Sequence, residues 1–204
     1  MTKYIDKNNT YISEDVTFGE EVIIYPNVII EGVSIIGNNT IIYPGCFIKN
    51  CIIGDNCIIY NSQIIDASIG DCTVVGPYAN IHDKVKIGKN NRIGSFVELK
   101  NINTGNNTKI PHLSYIGDAE LGRNINIGAG AITANFDGIS KNKTIINDNS
   151  FIGCNSNLIA PVEIGCNSLI AAGSTIIKNV PENSLSIARA KQVNKRNYYK
   201  KNKV

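Results

Sequence analysis

With 204 residues, 18% of them charged and 43% hydrophobic, the chain is neither a disordered polymer nor a coiled coil, and its length suits one or two domains. No stretch is long and apolar enough to span a membrane as a helix, and Met1-Thr2-Lys3-Tyr4-Ile5-Asp6 lacks the apolar core of a signal peptide, so a cytoplasmic protein is expected. The net charge of +3 is uneven: residues 191–204 hold six cations and no acid, leaving −3 on the rest. With no recognition fold around that tail, no nucleic-acid partner is expected, and the tail meets water or a phosphorylated ligand.

Residues 1–15 read as an irregular lead-in or a first coil. From Phe18 an aliphatic residue recurs at about every sixth position: Phe18, Ile24, Ile30, Ile36, Ile42, Ile48, then Ile53, Ile59, Ile65, then Ile69, Val75, Ile81, Ile87, Ile93, Leu99. Six fits neither the helical 3.6 nor the strand period of two. It fits a chain that turns a corner every six residues and points one large aliphatic inward per side. Three sides make a coil of about 18 residues, and coils stack at about 4.8 Å. Two positions before each aliphatic lies a small residue, as in Val22, Ser34, Thr40, Cys46, Cys51, Cys57 and Thr73. A narrow prism has room for one large and one small residue per side. Gly, Asn and Asp fall at the corners, where left-handed backbone is needed. The expected fold is all-β, a parallel β-helix.

Residues 101–143 keep the period loosely, through Ile110, Ile116, Leu121 and Ile127. An excursion over 134–143 then breaks it, and such breaks in a regular scaffold concentrate function. Regular coils resume from Thr144 through Ile152, Leu158, Ile164 and Ile170 to Ile176. Pro181 and Asn183 end the prism. Residues 181–204 form a cap and basic tail, with a short turn or helix over Ser184–Lys191. The domain proper is 16–180.

Ile23, Ile29, Ile35, Ile41, Ile52 and Ile58 neighbour the inward aliphatics and point outward as an apolar row. Such a row suits a buried partner surface, and three-fold closure gives an expected homotrimer. The six cysteines contain no Cys-x-x-Cys pair, and His82 and His112 are too few for a three-histidine zinc site, so no metal is expected.

His112, in Lys109-Ile110-Pro111-His112-Leu113-Ser114-Tyr115, is the histidine of the irregular half. It is either a general base or a surface histidine on a β corner. Asn126 and Asn135 are polar candidates nearby, and Lys100, Lys141 and Arg189 offer charge for phosphates. No Walker or dinucleotide glycine fingerprint is present.

Gly94-Ser95-Phe96-Val97-Glu98-Leu99-Lys100, Pro111-His112-Leu113-Ser114-Tyr115-Ile116-Gly117-Asp118, Asn126-Ile127-Gly128-Ala129-Gly130, Ala134-Asn135-Phe136-Asp137-Gly138, Ile170-Ala171-Ala172-Gly173-Ser174 and Ile187-Ala188-Arg189 follow in order. This set, over about residues 75–195, resembles the C-terminal acetyltransferase domain of the bifunctional N-acetylglucosamine-1-phosphate uridyltransferase/glucosamine-1-phosphate acetyltransferase family. The resemblance implies a left-handed β-helix, trimeric, with sites between subunits, that moves acetyl from acetyl-CoA to a sugar amine. It implies His112 as general base and Asn135 beside the reacting amine and thioester. Lys100, Tyr115, Asn126 and Lys141 fall where the family holds sugar phosphate and hydroxyls, and Ala129, Ala172 and Arg189 where it contacts the CoA arm. His82 stands where the family has an arginine on the phosphate, and Cys154 where it has a serine near the CoA sulfur. No counterpart of the nucleotidyltransferase domain is seen, so uridylyl transfer is not expected from these residues. A different amino-sugar acceptor, nucleotide-linked or a polysaccharide precursor, remains open because of His82, as does a non-catalytic β-helix that serves in binding or assembly.

Overall fold

The computed structural model describes residues 1–196 and 198. Lys200, Lys201 and Lys203 of the basic tail lie outside the described residues. Short parallel strands wind about ten coils of a left-handed β-helix, with no α-helix among the described residues and one 3-10 turn at Lys7–Asn9. Coil partners are 16 to 18 residues apart along most of the chain, and 25 apart across the excursion, as between Arg123 and Asp148.

Three faces run the length of the prism. The first stacks Ile24, Ile42, Ile59, Val75, Ile93 and Ile110 inward. The second stacks Ile30, Ile48, Ile64, Ile81, Leu99 and Ile116. The third stacks Ile36, Ile53, Ile69 and Ile87. All are essentially solvent-free and form one continuous core. Strands Glu98–Thr104 and Tyr115–Leu121 run through the second corner without a break, and so join the second and third faces.

The small slots fill as the period predicts. Cys46, Cys51 and Cys57 are buried there, alongside Ser34, Thr40 and Thr73. Burial pushes the Cys46 and Cys57 thiols up to about 11, because a thiolate would lose its hydration inside the prism. Two details differ from the sequence reading. Ile64, not Ile65, is the inward residue of its coil, because the first corner there, between Ile59 and Ile64, is one residue shorter. The outward aliphatics also form no single row. A six-residue step advances one face, so Ile23, Ile41 and Ile58 share the first face, Ile29 lies on the second, and Ile35 and Ile52 on the third.

At the C-terminus, Leu185–Ser186 pairs with Leu169–Ile170, and the Thr175 N–H donates to the Ala188 carbonyl. The stretch from Ser184 is therefore extended and adds to the first face instead of forming a helix. At the N-terminus Lys3–Tyr4 and Tyr11–Ile12 pair with the coil below.

Candidate functional site

The corners decide where the predicted residues go. The first corner, between the first and second faces, carries His112, Ala129, Cys154 and Ala172 in successive coils. Each precedes a residue whose N–H donates to the coil above: Gly130 to Leu113, Asn155 to Ala129, Gly173 to Cys154. Arg189 reaches the same edge, with Nη1 donating to the Ala172 carbonyl at 2.6 Å. His112, Cys154 and Ala172 are exposed and Ala129 is half-buried.

This edge changes character along its length. In the upper coils Tyr25, Tyr43 and Tyr60 stack at 4.8 and 4.6 Å, and Tyr78 stacks on Phe96 at 5.4 Å. There Pro26, Pro44 and Pro77 occupy the middle of the corner and supply no N–H. In the lower coils the middle residues are Ala129, Cys154 and Ala172. Among the described residues no acceptor takes their N–H groups. The lower edge thus presents a column of free donors over small side chains.

The second corner gathers a different set. His82 and Lys100 are paired across strands. The two ring nitrogens of His82 lie 3.2 Å from Asp83 Oδ1 and 3.2 Å from Glu98 Oε1. Lys100 Nζ is 3.4 Å from Asp83 Oδ2. The His82 side chain first, and the Lys100 ammonium second, hold the Asp83 carboxyl below its ordinary range, and Asp83 in turn raises Lys100. One coil lower, buried Asp118 accepts from Asn101 Nδ2 and from Asn135 Nδ2, and Lys141 Nζ lies 4.0 Å from it. Asn135 Nδ2 also donates to the Tyr115 hydroxyl at 3.4 Å. A shallow pocket on this corner is lined by Asp66, Asp83, Lys84, Lys100, Asn101, Asp118 and Lys141. Gly117 makes the arrangement fit. A Cβ there would sit 2.5 Å from the Tyr115 hydroxyl and 2.8 Å from Asn135 Nδ2.

The excursion leaves from this second corner. The Asp137 carboxylate accepts from the Ser140 and Ile139 N–H groups and from Asn142 Nδ2, and those donors hold its pKa far below the usual carboxylate range. The loop is therefore tied internally while its tip bares Phe136 and leaves Ile139 94% exposed.

Within one chain, then, His82, Lys100, Tyr115, Asn135 and Lys141 share the second corner. His112, Ala129, Cys154, Ala172 and Arg189 share the first. The five-residue step from His112 to Gly117 along the second face is on the order of 10–15 Å. The chain alone does not bring His112 to Asn135. Asn126 belongs to neither group. It faces outward on the first face, in register with Lys109 and Phe151.

Comparison with known proteins follows the same lines. The family described as Bacterial transferase hexapeptide (six repeats) matches residues 66–101. The Bifunctional protein GlmU of Clostridium kluyveri is 50% identical over 198 residues, covering 97% of this chain and 43% of that protein. The GlmU of Geobacillus sp. (strain WCH70) is 52% identical over 194 residues, covering 95% of this chain and 42% of that protein. The chain matches the C-terminal acetyltransferase part of GlmU. It spans less than half the length of these curated relatives. Among solved structures, the UDP-N-acetylglucosamine acyltransferase of Arabidopsis superposes with a TM-score of 0.67 at 19% identity, over 90% of this chain and 71% of that one. The corresponding protein of Bacteroides fragilis gives 0.66 at 22%, over 88% and 70%. These two establish likeness of fold.

Relative to the GlmU-like set, sequence reasoning missed three acids, Asp118, Asp83 and Glu98, and the amide of Asn101. Asp118 carried a readable signal. It has φ 47° at a tight corner, a place where Asn, Asp or Gly is ordinary, and so it passed as a corner residue. Only burial on top of that geometry sets it apart.

Proposed function

We propose that this chain is an N-acetyltransferase that moves the acetyl group of acetyl-CoA to the amine of an amino-sugar phosphate, most simply glucosamine 1-phosphate in the UDP-GlcNAc pathway. The observation that carries this reading is the column of free N–H donors at Ala129, Cys154 and Ala172, directly below His112 on one edge. The 50% identity to GlmU over 97% of this chain supports it.

An ammonium has no lone pair, so a base must take its proton before it can attack a thioester. His112 is that base. Attack gives a tetrahedral intermediate with a developing oxyanion, which fixed backbone donors stabilise. The free N–H groups of the lower edge suit the thioester and amide carbonyls of acetyl-CoA, with Arg189 near its phosphates. Lys100 and Lys141 hold the acceptor's phosphate, Tyr115 and Asn126 its hydroxyls, and Asn135 its amine. Reaction in this scheme needs no metal and draws on cytoplasmic acetyl-CoA. Because the two groups lie on different edges, the site is completed between neighbouring subunits of a homotrimer. The bare Phe136 and Ile139 of the excursion suit contact with such a neighbour.

A second acceptor is favoured by one observation. Both ring nitrogens of His82 are engaged by carboxylates, and the pocket wall matches three lysines with three aspartates. A phosphate dianion meets little net positive charge there. The test is a panel of amino sugars with acetyl-CoA, following CoA release, for the wild type and for His82→Arg. Turnover of glucosamine 1-phosphate supports the first reading. Turnover of another amino sugar, with glucosamine 1-phosphate gained only in His82→Arg, moves the assignment to the second. No CoA release with any acceptor contradicts both.

A further inference from the structure

We propose that Asp118 is a positioning residue that fixes which way the Asn135 amide faces. This deepens the acetyl-transfer reading above and rests on it. A carboxylate only accepts hydrogen bonds, so the group Asn135 turns toward Asp118 must be its NH2. The geometry agrees: Nδ2 donates to Asp118 Oδ2 and, more weakly, to the Tyr115 hydroxyl. Both amide hydrogens are thereby held on the protein side. Asn135 Oδ1 takes no hydrogen bond among the described residues. It is also not a buried orphan, since the buried side-chain oxygen left without a partner there is Thr144 Oγ1. Asn135 Oδ1 therefore keeps contact with solvent as an unclaimed acceptor.

An acceptor is what an incoming amine needs. Two N–H bonds of the amine have to be steered so that its lone pair points at the thioester carbon. An amide flipped by 180° would offer N–H donors to an amine that has hydrogens of its own, and the approach would be lost. Asp118 itself cannot swing away. Its other oxygen accepts from Asn101 Nδ2 at 2.5 Å, it is 8% exposed, and the Lys141 ammonium lies 4.0 Å off. Gly117 leaves the space over which the Asn135 and Tyr115 groups meet.

The decisive variant is Asp118→Asn. It keeps the size of the side chain and a residue type that accepts φ 47°, but an amide at 118 can face Asn135 with either end. The expected result is a kcat roughly 10- to 100-fold lower, with the KM for acetyl-CoA changed by less than about twofold. If Asp118 acts through Asn135, its substitution adds little in an Asn135→Ala background, so the two losses are strongly non-additive. The reciprocal pair tests the direction of the bond. Asn135→Asp alone sets two carboxylates face to face and abolishes turnover. Adding Asp118→Asn restores the donor–acceptor pair, keeps an outward oxygen at 135, and should recover at least tenfold over Asn135→Asp. The side-chain amide protons of Asn135, assigned by their loss in Asn135→Ser, should shift upfield in Asp118→Asn, a readout independent of turnover. Additive losses, no recovery in the exchanged pair and unmoved amide protons overturn the inference while leaving acetyl transfer intact. A wild type without acetyl transfer overturns the reading beneath it.

Discussion

Two edges of this prism turn the backbone at similar corners and differ in what their side chains do with the middle N–H. At five positions along the third corner, between the third and first faces, an Asn or Asp one coil below claims that donor: Asn38 takes the Glu20 N–H, Asp55 the Asn38 N–H, Asp71 the Asp55 N–H, Asn106 the Lys89 N–H and Asp148 the Arg123 N–H. Along the first corner Pro26, Pro44 and Pro77 remove the donor, and at Ala129, Cys154 and Ala172 it is left free. On an exposed edge such free N–H groups are met by water, which a ligand's carbonyl can replace. One edge is finished at five positions by its own side chains. The other is finished by what binds to it.

The comparison can be broken most severely at its catalytic end. Replacing His112 with Ala should lower kcat with any active acceptor by about 10²- to 10⁴-fold, with the thermal unfolding curve unmoved. Unchanged turnover would return His112 to a surface corner residue. A smaller effect tests the donor column. Ala172→Pro deletes one free N–H at a position where Pro26 and Pro44 already fit the same corner, so the fold should stay intact. One lost hydrogen bond predicts an acetyl-CoA KM about tenfold higher, whereas Pro44→Ala should leave it unchanged.

On the finished edge the signs reverse. Asp55 Oδ1 accepts from both the N–H and the side chain of Asn38, so Asp55→Ala should cost about 1–2 kcal/mol and lower the melting temperature by about 2–8 °C, with kcat and KM untouched. A last effect comes from the core and shows only in alkaline solution. The Cys46 and Cys57 thiols ionise at 9.0 when free and about 11 when folded. Their contribution to stability is complete below 9.0 and is lost as pH rises toward about 11, because only the unfolded chain ionises in that window. Cys46→Ser/Cys57→Ser should flatten that part of a melting-temperature-versus-pH curve.

Much of the scaffold was legible because its cause is local and repeated. One large and one small inward residue per side leave a period of six, and nearly every residue chosen by that period is buried. Ile65 failed because a corner shortened by one residue, which the spacing alone does not report. The supposed aliphatic row failed because adjacency in sequence is not adjacency on a three-sided prism. The site was legible residue by residue but not as a place. His112 and Asn135 stand 23 positions apart in sequence, and only the stacking of coils shows that they occupy different edges. Asp118 stayed hidden because a corner needs Asn, Asp or Gly anyway.

That separation of edges makes the central claim testable in one measurement. His112→Ala and Asn135→Ala, each inactive alone, are unfolded together, mixed in equal amounts and refolded, and CoA release is measured. If sites form between subunits, random mixing gives about one quarter of the interfaces both an intact His112 and an intact Asn135, and activity returns to about that fraction of wild type. A mixture as inactive as its parents would contradict the account.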